Sequence, residues 1–269
     1  MKSMNFRRWM IVMTTAAPLG VFAAPVISYD QNVTSNFIAG SGIGNGGFTL
    51  VKDVDNELEL GLRARERYPT PNNDTNVRAG SNVYDHAPGG FGAGGTLAAW
   101  NFDWSINVGG RSVNDLSYLI GIDYASGTET SYLTFDPIKD VNPNPLAGGL
   151  ALWDHSFGDS ATAQGAGSEA SGNSLPVLLA SYDSLKSNNS LVQNSWNLGF
   201  FDGPQPFNPD ASGQFTIFLE AYLERNLVAR TEIEVMVRGT TVNPIPEPGT
   251  LALASLALLG LAGLRRRFS

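Results

Sequence analysis

Through the middle of the chain, apolar and polar residues alternate with a period of two. Leu58, Leu60, Leu62 and Ala64 fall on one side of a predicted strand, and Glu57, Glu59, Arg63 and Arg65 fall on the other. Antiparallel strands with one face on a core and one in water carry this pattern. Trp100, Phe102, Trp104, Ile106 and Val108 repeat it against Asn101, Asp103, Ser105 and Asn107. Leu116, Tyr118, Ile120, Ile122 and Tyr124 repeat it again. Shorter strands are predicted over 48–51, 131–135, 177–182 and 191–201, the last with Val192, Trp196, Leu198 and Phe200 on one face. Phe215, Ile217, Leu219, Ala221 and Leu223 lead to Glu224-Arg225-Asn226, and Ala229, Thr231, Ile233, Val235 and Val237 return. The body therefore closes with a hairpin.

Turn-forming residues separate these segments. Residues 26–47 are rich in Asn, Ser and Gly, and Asp53-Val54-Asp55-Asn56 reads as a tight hairpin turn. Residues 68–95 and 137–145 are Pro- and Gly-containing loops, and 158–174 is a Gly/Ser/Ala-rich segment of flexible composition. No window sustains a period of 3.6, so no core helix is expected, and no internal repeat points to a propeller or solenoid. The fold class predicted is all-β: an antiparallel β-sandwich of about nine strands over 24–243, with jelly-roll-like connections as one way to order them.

Both ends differ from this body. Lys2, Arg7 and Arg8 precede an apolar stretch over 10–23, and Val21-Phe22-Ala23 fits the small-x-small cleavage rule. Residues 1–23 thus read as a secretory signal peptide. At the other end come Pro244, Pro246 and Pro248, then 15 residues without charge over 250–264, then Arg265, Arg266 and Arg267. Prolines exclude helix and central strand, the Leu/Ala-rich run predicts an apolar membrane helix, and the arginines hold its end on the cytoplasmic side. A helix of that length spans about 22 Å, short of the roughly 30 Å of a hydrocarbon core, so a transient hold on the membrane suits it better than a permanent anchor.

The motif Pro246-Glu247-Pro248, the apolar helix and the terminal arginines together resemble the PEP-CTERM sorting signal of Gram-negative bacteria. The resemblance covers 244–269. It implies export through the inner membrane, a transient stay there, and processing by an exosortase-type membrane enzyme. It also implies a destination at the cell surface or in an extracellular matrix, in the setting of exopolysaccharide and biofilm. Residues 207–237 are similar to the last hairpin of many proteins with this signal, and no activity travels with that similarity.

With both end segments removed, 11 basic and 24 acidic residues remain, a net charge of −13 for residues 24–243. Such a surface repels nucleic acid and anionic lipid, and no nucleic-acid partner is expected. The chain has no cysteine, so disulfides contribute nothing and a hydrophobic core must hold the body together.

The candidate chemistry is sparse. Trp153-Asp154-His155-Ser156 holds the three residue types of a hydrolase triad, but neighbours on a strand point to opposite faces and form no relay. His155 therefore reads as structural, and no catalytic residue is assigned. Glu57/Glu59 and Glu232/Glu234 are same-face carboxylate pairs on polar strand faces, where solvated charge is expected rather than a glycosidase pair. No cysteine cluster or His-Glu-x-x-His motif offers a metal site, and no cofactor is expected. Trp100, Trp104 and Trp196 fall on apolar strand faces and read as core, which leaves Trp153, in a loop, as a ligand contact. The function expected is that of an exported, non-catalytic surface or matrix protein with extracellular polysaccharide as a partner. A carbohydrate-binding module is the alternative, and a secreted hydrolase stands third.

Overall fold

The computed structural model describes residues 24–36, 44–127, 129–139, 154–201 and 203–238. The expected signal peptide, the sorting segment with Pro246, Glu247, Pro248, Arg265, Arg266 and Arg267, and Trp153 lie outside these residues. Two sheets face each other. The first runs β1 (Val26–Gln31), β2 (Phe48–Asp53), β3 (Leu58–Glu66), β5 (Trp100–Asn107), β9 (Leu191–Trp196) and β8 (Ser156–Gly158). The second runs β4 (Val83–His86), β11 (Asn226–Val237), β10 (Gly213–Leu223), β6 (Ser117–Asp123) and β7 (Tyr132–Phe135). The expected β-sandwich is present.

Register follows the apolar pattern. Leu60, Leu62 and Ala64 pair with Ile106, Trp104 and Phe102, which sets six apolar side chains on the inner face of the first sheet. From the second sheet, Ile217, Leu219 and Ala221 pair with Ile233, Thr231 and Ala229 and complete a continuous core. Trp100, Trp104 and Trp196 are buried in it, as their strand positions predict. The closing hairpin turns through Glu224 and Arg225, both at positive φ (50° and 72°), the geometry a two-residue turn needs between right-twisted strands. Asp53 caps the turn before β3, with Oδ1 accepting from Asn56 N–H at 3.1 Å.

Several expectations fail locally. Residues 177–182 are not a strand but part of helix α1 (Leu175–Asn188). Pro176 sits in its first turn, where a missing N–H costs nothing, and Tyr182 and Leu185, three residues apart, turn toward the core. Val177 and Leu179 stay exposed, so the apolar run there is not a buried strand face. β1 and β4 form inside stretches that read as irregular, because short edge strands are made by backbone pairing more than by side-chain pattern. β4 is also parallel to β11, whereas the other strand pairs are antiparallel. β9 stops at Trp196; a 3-10 turn over Leu198–Phe200 follows and leaves Phe200 exposed.

The largest correction concerns the polar face of the first sheet. Glu59, Arg63, Arg65, Asn101, Asp103, Ser105 and Asn107 are all buried rather than solvated. Residues 33–36, which follow β1, cross this face. Val33 packs above Gly61, where a Cβ would come within 2.9 Å of the Val33 and Leu50 side chains. Thr34 N–H and hydroxyl both donate to the Glu59 carboxylate at 2.8 Å, and Gln193 Nε2 on β9 donates to Ser35 O at 2.5 Å. Asn45 anchors the strap through paired bonds with Val33.

Candidate functional site

The sandwich has two unlike ends. At one, α1 docks beside the 3-10 turn Val113–Asp115, with Ser112 Oγ donating to Lys186 O at 2.8 Å and Val113 N–H to Asn189 O at 3.0 Å. At the other, β11 finishes: Val237 pairs with Gly213, and Arg238 N–H donates to His86 O at 3.0 Å. Pro244, the first residue of the sorting segment, follows Arg238 by six residues in the sequence.

That second end carries an open groove of about 460 Å³. One wall is the loop after β6, and the other is the 205–211 segment before β10. Asp123 Oδ1 fixes the first loop by accepting from Ala125 N–H at 3.0 Å and Ser131 N–H at 2.7 Å. The second is tied to the loop after β4, where Gly89 N–H donates to Pro209 O and Gly90 N–H to Asp210 Oδ1, both at 2.9 Å. The floor is aromatic: Phe207 lies edge-on to Tyr124 at 6.3 Å and to Phe215 at 5.9 Å. Tyr124 and Phe215 are buried, while Phe207 keeps part of its ring in the groove. Gly203 lets the chain approach the Tyr124 ring, since a Cβ there would lie 2.4 Å from it.

Glu129, Gln205 and Asn208 form the polar rim, and all three are exposed. Asn208 Oδ1 accepts from Asp210 N–H at 3.1 Å, and its amide nitrogen is a donor. Glu129 is the only charged residue of the lining. No motif in the sequence marks these residues as a site. A phenylalanine between prolines in Pro204-Gln205-Pro206-Phe207-Asn208-Pro209 is a visible signal of a stiff loop with an aromatic, but its meeting with the loop after β6 is a tertiary event.

The structure separates the residues that the sequence marked for chemistry. His155 is buried, with Nε2 at 2.7 Å from Pro137 O and Nδ1 at 3.0 Å from Asn194 Nδ2. The carbonyl can only accept and the amide nitrogen only donate, so the imidazole is neutral with its proton on Nε2. Its ring stands edge-on to Trp104 at 4.9 Å, and burial pushes its pKa down to about 4. His86 is likewise buried, stacked near Trp100 at 6.0 Å, and lowered by burial to about 4.

The carboxylate pairs part company. Glu57 is exposed in the turn before β3, whereas Glu59 is buried under the strap and pairs with Lys52 at 2.8 Å. Glu232 and Glu234 are half-exposed on β11, where Glu232 pairs with Arg230. Under the strap, Asp103 Oδ2 accepts from Arg63 Nε at 2.8 Å and Arg65 Nε at 2.7 Å. Burial alone would raise the Asp103 pKa, but the two guanidiniums and the Ser195 hydroxyl outweigh it and hold the carboxyl below its usual range. Among the described residues, no group of three or more His, Cys, Asp or Glu is placed to hold a metal ion. No helix among them is long and apolar enough to cross a membrane.

Residues 244–267 match the model of the PEP-CTERM protein-sorting motif. No curated protein and no solved structure matches the chain. The motif agrees with the three-part reading of the tail and with its position just beyond β11. The chain thus carries a PEP-CTERM protein-sorting motif, which supports an exported surface protein sorted by an exosortase.

Proposed function

We propose that the sandwich is a non-catalytic component of the cell surface or extracellular matrix, associated with exopolysaccharide and biofilm. On this reading the inner membrane holds it transiently, until an exosortase-type enzyme processes the tail. The PEP-CTERM motif at 244–267 carries the proposal, because it supports export and a cell-surface destination. The buried states of His155, His86 and Glu59 support the non-catalytic part. Each is enclosed by packing rather than presented in a cleft, and general acid–base work needs a group within reach of substrate. The net charge of −13 over 24–243 supports a soluble, hydrated surface component and disfavours nucleic acid or anionic lipid as partner.

The groove at the end of the sandwich where β11 finishes favours carbohydrate binding as the way this association is made. A test uses the protein purified from the surface of its producer and the producer's own polysaccharide. Retention on the polysaccharide without release of sugars is expected. Release that disappears when a carboxylate is changed would move the protein to the hydrolases. Absence of both retention and matrix localisation would remove the association.

A further inference from the structure

We propose that the groove between the loop after β6 and the 205–211 segment binds a neutral saccharide. The proposal rests on the matrix reading for its biological setting, and on the groove's own chemistry for its ligand. A pyranose has a C–H face and a hydroxyl edge. It needs an apolar surface of one ring's size and, around it, groups that both donate and accept hydrogen bonds. Phe207 supplies the surface, held upright by Tyr124 and Phe215. Gln205 supplies a donor and an acceptor, Asn208 Nδ2 a donor, and Glu129 an acceptor. A volume of about 460 Å³ is in the range of small-ligand sites and suits one or two sugar rings.

The same residues argue against other ligands. No lining residue is basic and Glu129 is acidic, so phosphate, sulfate and uronate groups are repelled, as they are by the body's charge. One carboxylate is too small a donor set for a metal ion. A single half-exposed ring offers too little apolar area for an acyl chain. The walls are built before any ligand arrives. The Asp123 bonds to Ala125 and Ser131, the Gly89 and Gly90 bonds to the second wall, and the Gln214 N–H bond to Ser126 O at 3.2 Å hold the described residues of both walls. Little ordering is then left to oppose binding.

The test titrates the full chain in detergent with neutral tetrasaccharides of glucose, mannose and galactose, and with an oligogalacturonate as the acidic control. Amide NMR signals of the two walls and calorimetry are the readouts. At least one neutral tetrasaccharide is expected to shift signals of both walls, with the oligogalacturonate bound at least about tenfold more weakly. Gln205→Ala, at an exposed position that no fold contact needs, should weaken binding roughly 3- to 10-fold. Phe207→Ala should weaken it about tenfold or more. Glu129→Gln should leave neutral binding near its original level and narrow the gap to the acidic control.

Silence of the wall signals toward all three neutral sugars overturns the proposal, as does binding indifferent to both alanine variants. The two readings fail separately. Retention on the producer's polysaccharide that survives Gln205→Ala and Phe207→Ala ends the groove assignment and leaves the matrix role. Shifts at the groove without matrix retention do the reverse.

Discussion

Arg63 and Arg230 occupy outward-facing positions on the two sheets, each beside carboxylates, and meet opposite surroundings. The Arg63 side chain is 1% exposed, shares Asp103 with Arg65, and donates through Nη1 to Gly44 O and Gly46 O at 3.1 and 2.7 Å. The Arg230 side chain is 38% exposed, lies 4.1 Å above the Phe218 ring, and pairs with Glu220 and Glu232. The chemistry is nearly the same. What differs is a cover: residues 33–36 and 44–46 lie over the first sheet, while Arg230 and Glu232 stay partly open to solvent. In water an Arg–carboxylate pair contributes little, whereas under cover each charge depends on its partner. The strap thus turns an ordinary polar strand face into a second, polar layer of the interior.

Breaking the pair on each side should separate them most. Asp103→Ala leaves two guanidiniums buried without their carboxylate and is expected to cost about 3–5 kcal/mol. Glu232→Ala on the open face should cost less than about 1 kcal/mol. Urea unfolding of both variants measures the difference, and equal losses would mean that the strap does not shield the layer.

Acid sharpens the contrast between enclosed and open groups. His86 and His155 have folded pKa values near 4, below the ordinary 6.5, so the unfolded chain takes up their protons first. Their contribution is full above pH 6.5 and is lost as pH falls from about 6.5 to 4, by up to about 3 kcal/mol for each. Asp103, also depressed, adds a loss at lower pH as its carboxyl protonates. Imidazole NMR titration is the check. Either ring titrating near 6.5 in the folded protein would show that it is not enclosed.

A smaller effect probes the fit of the strap itself. Gly61→Ala adds a methyl group that meets Val33 and Leu50 at 2.9 Å, and should cost about 1–3 kcal/mol through displacement of the strap. Faster hydrogen exchange at Val33 and Thr34 would locate the damage there, and unchanged exchange would place the strain elsewhere.

Much of the fold was legible in the chain. A strict period of two over β3, β5, β6, β10 and β11 leaves one register that keeps every large apolar residue inside, since a one-residue slip exposes them all. The Glu224-Arg225 turn and the Asp53 cap are local chemistry and were readable as such. The sorting segment was readable too, because prolines, apolar run and arginines act through their order along the chain. What only the tertiary structure decided depends on which segments meet. Periodicity says that Arg63, Arg65 and Asp103 share a face, but not that residues 33–36 cross it, because nothing local in that Asn/Ser-rich stretch marks a cover. β1 and β4 draw their pairing from neighbours far along the chain, and α1 hid because an apolar run with few polar breaks suits strand and helix alike. The groove needed Phe207 and the loop after β6, some 80 residues apart in sequence, to be brought together by β10 lying between β6 and β11.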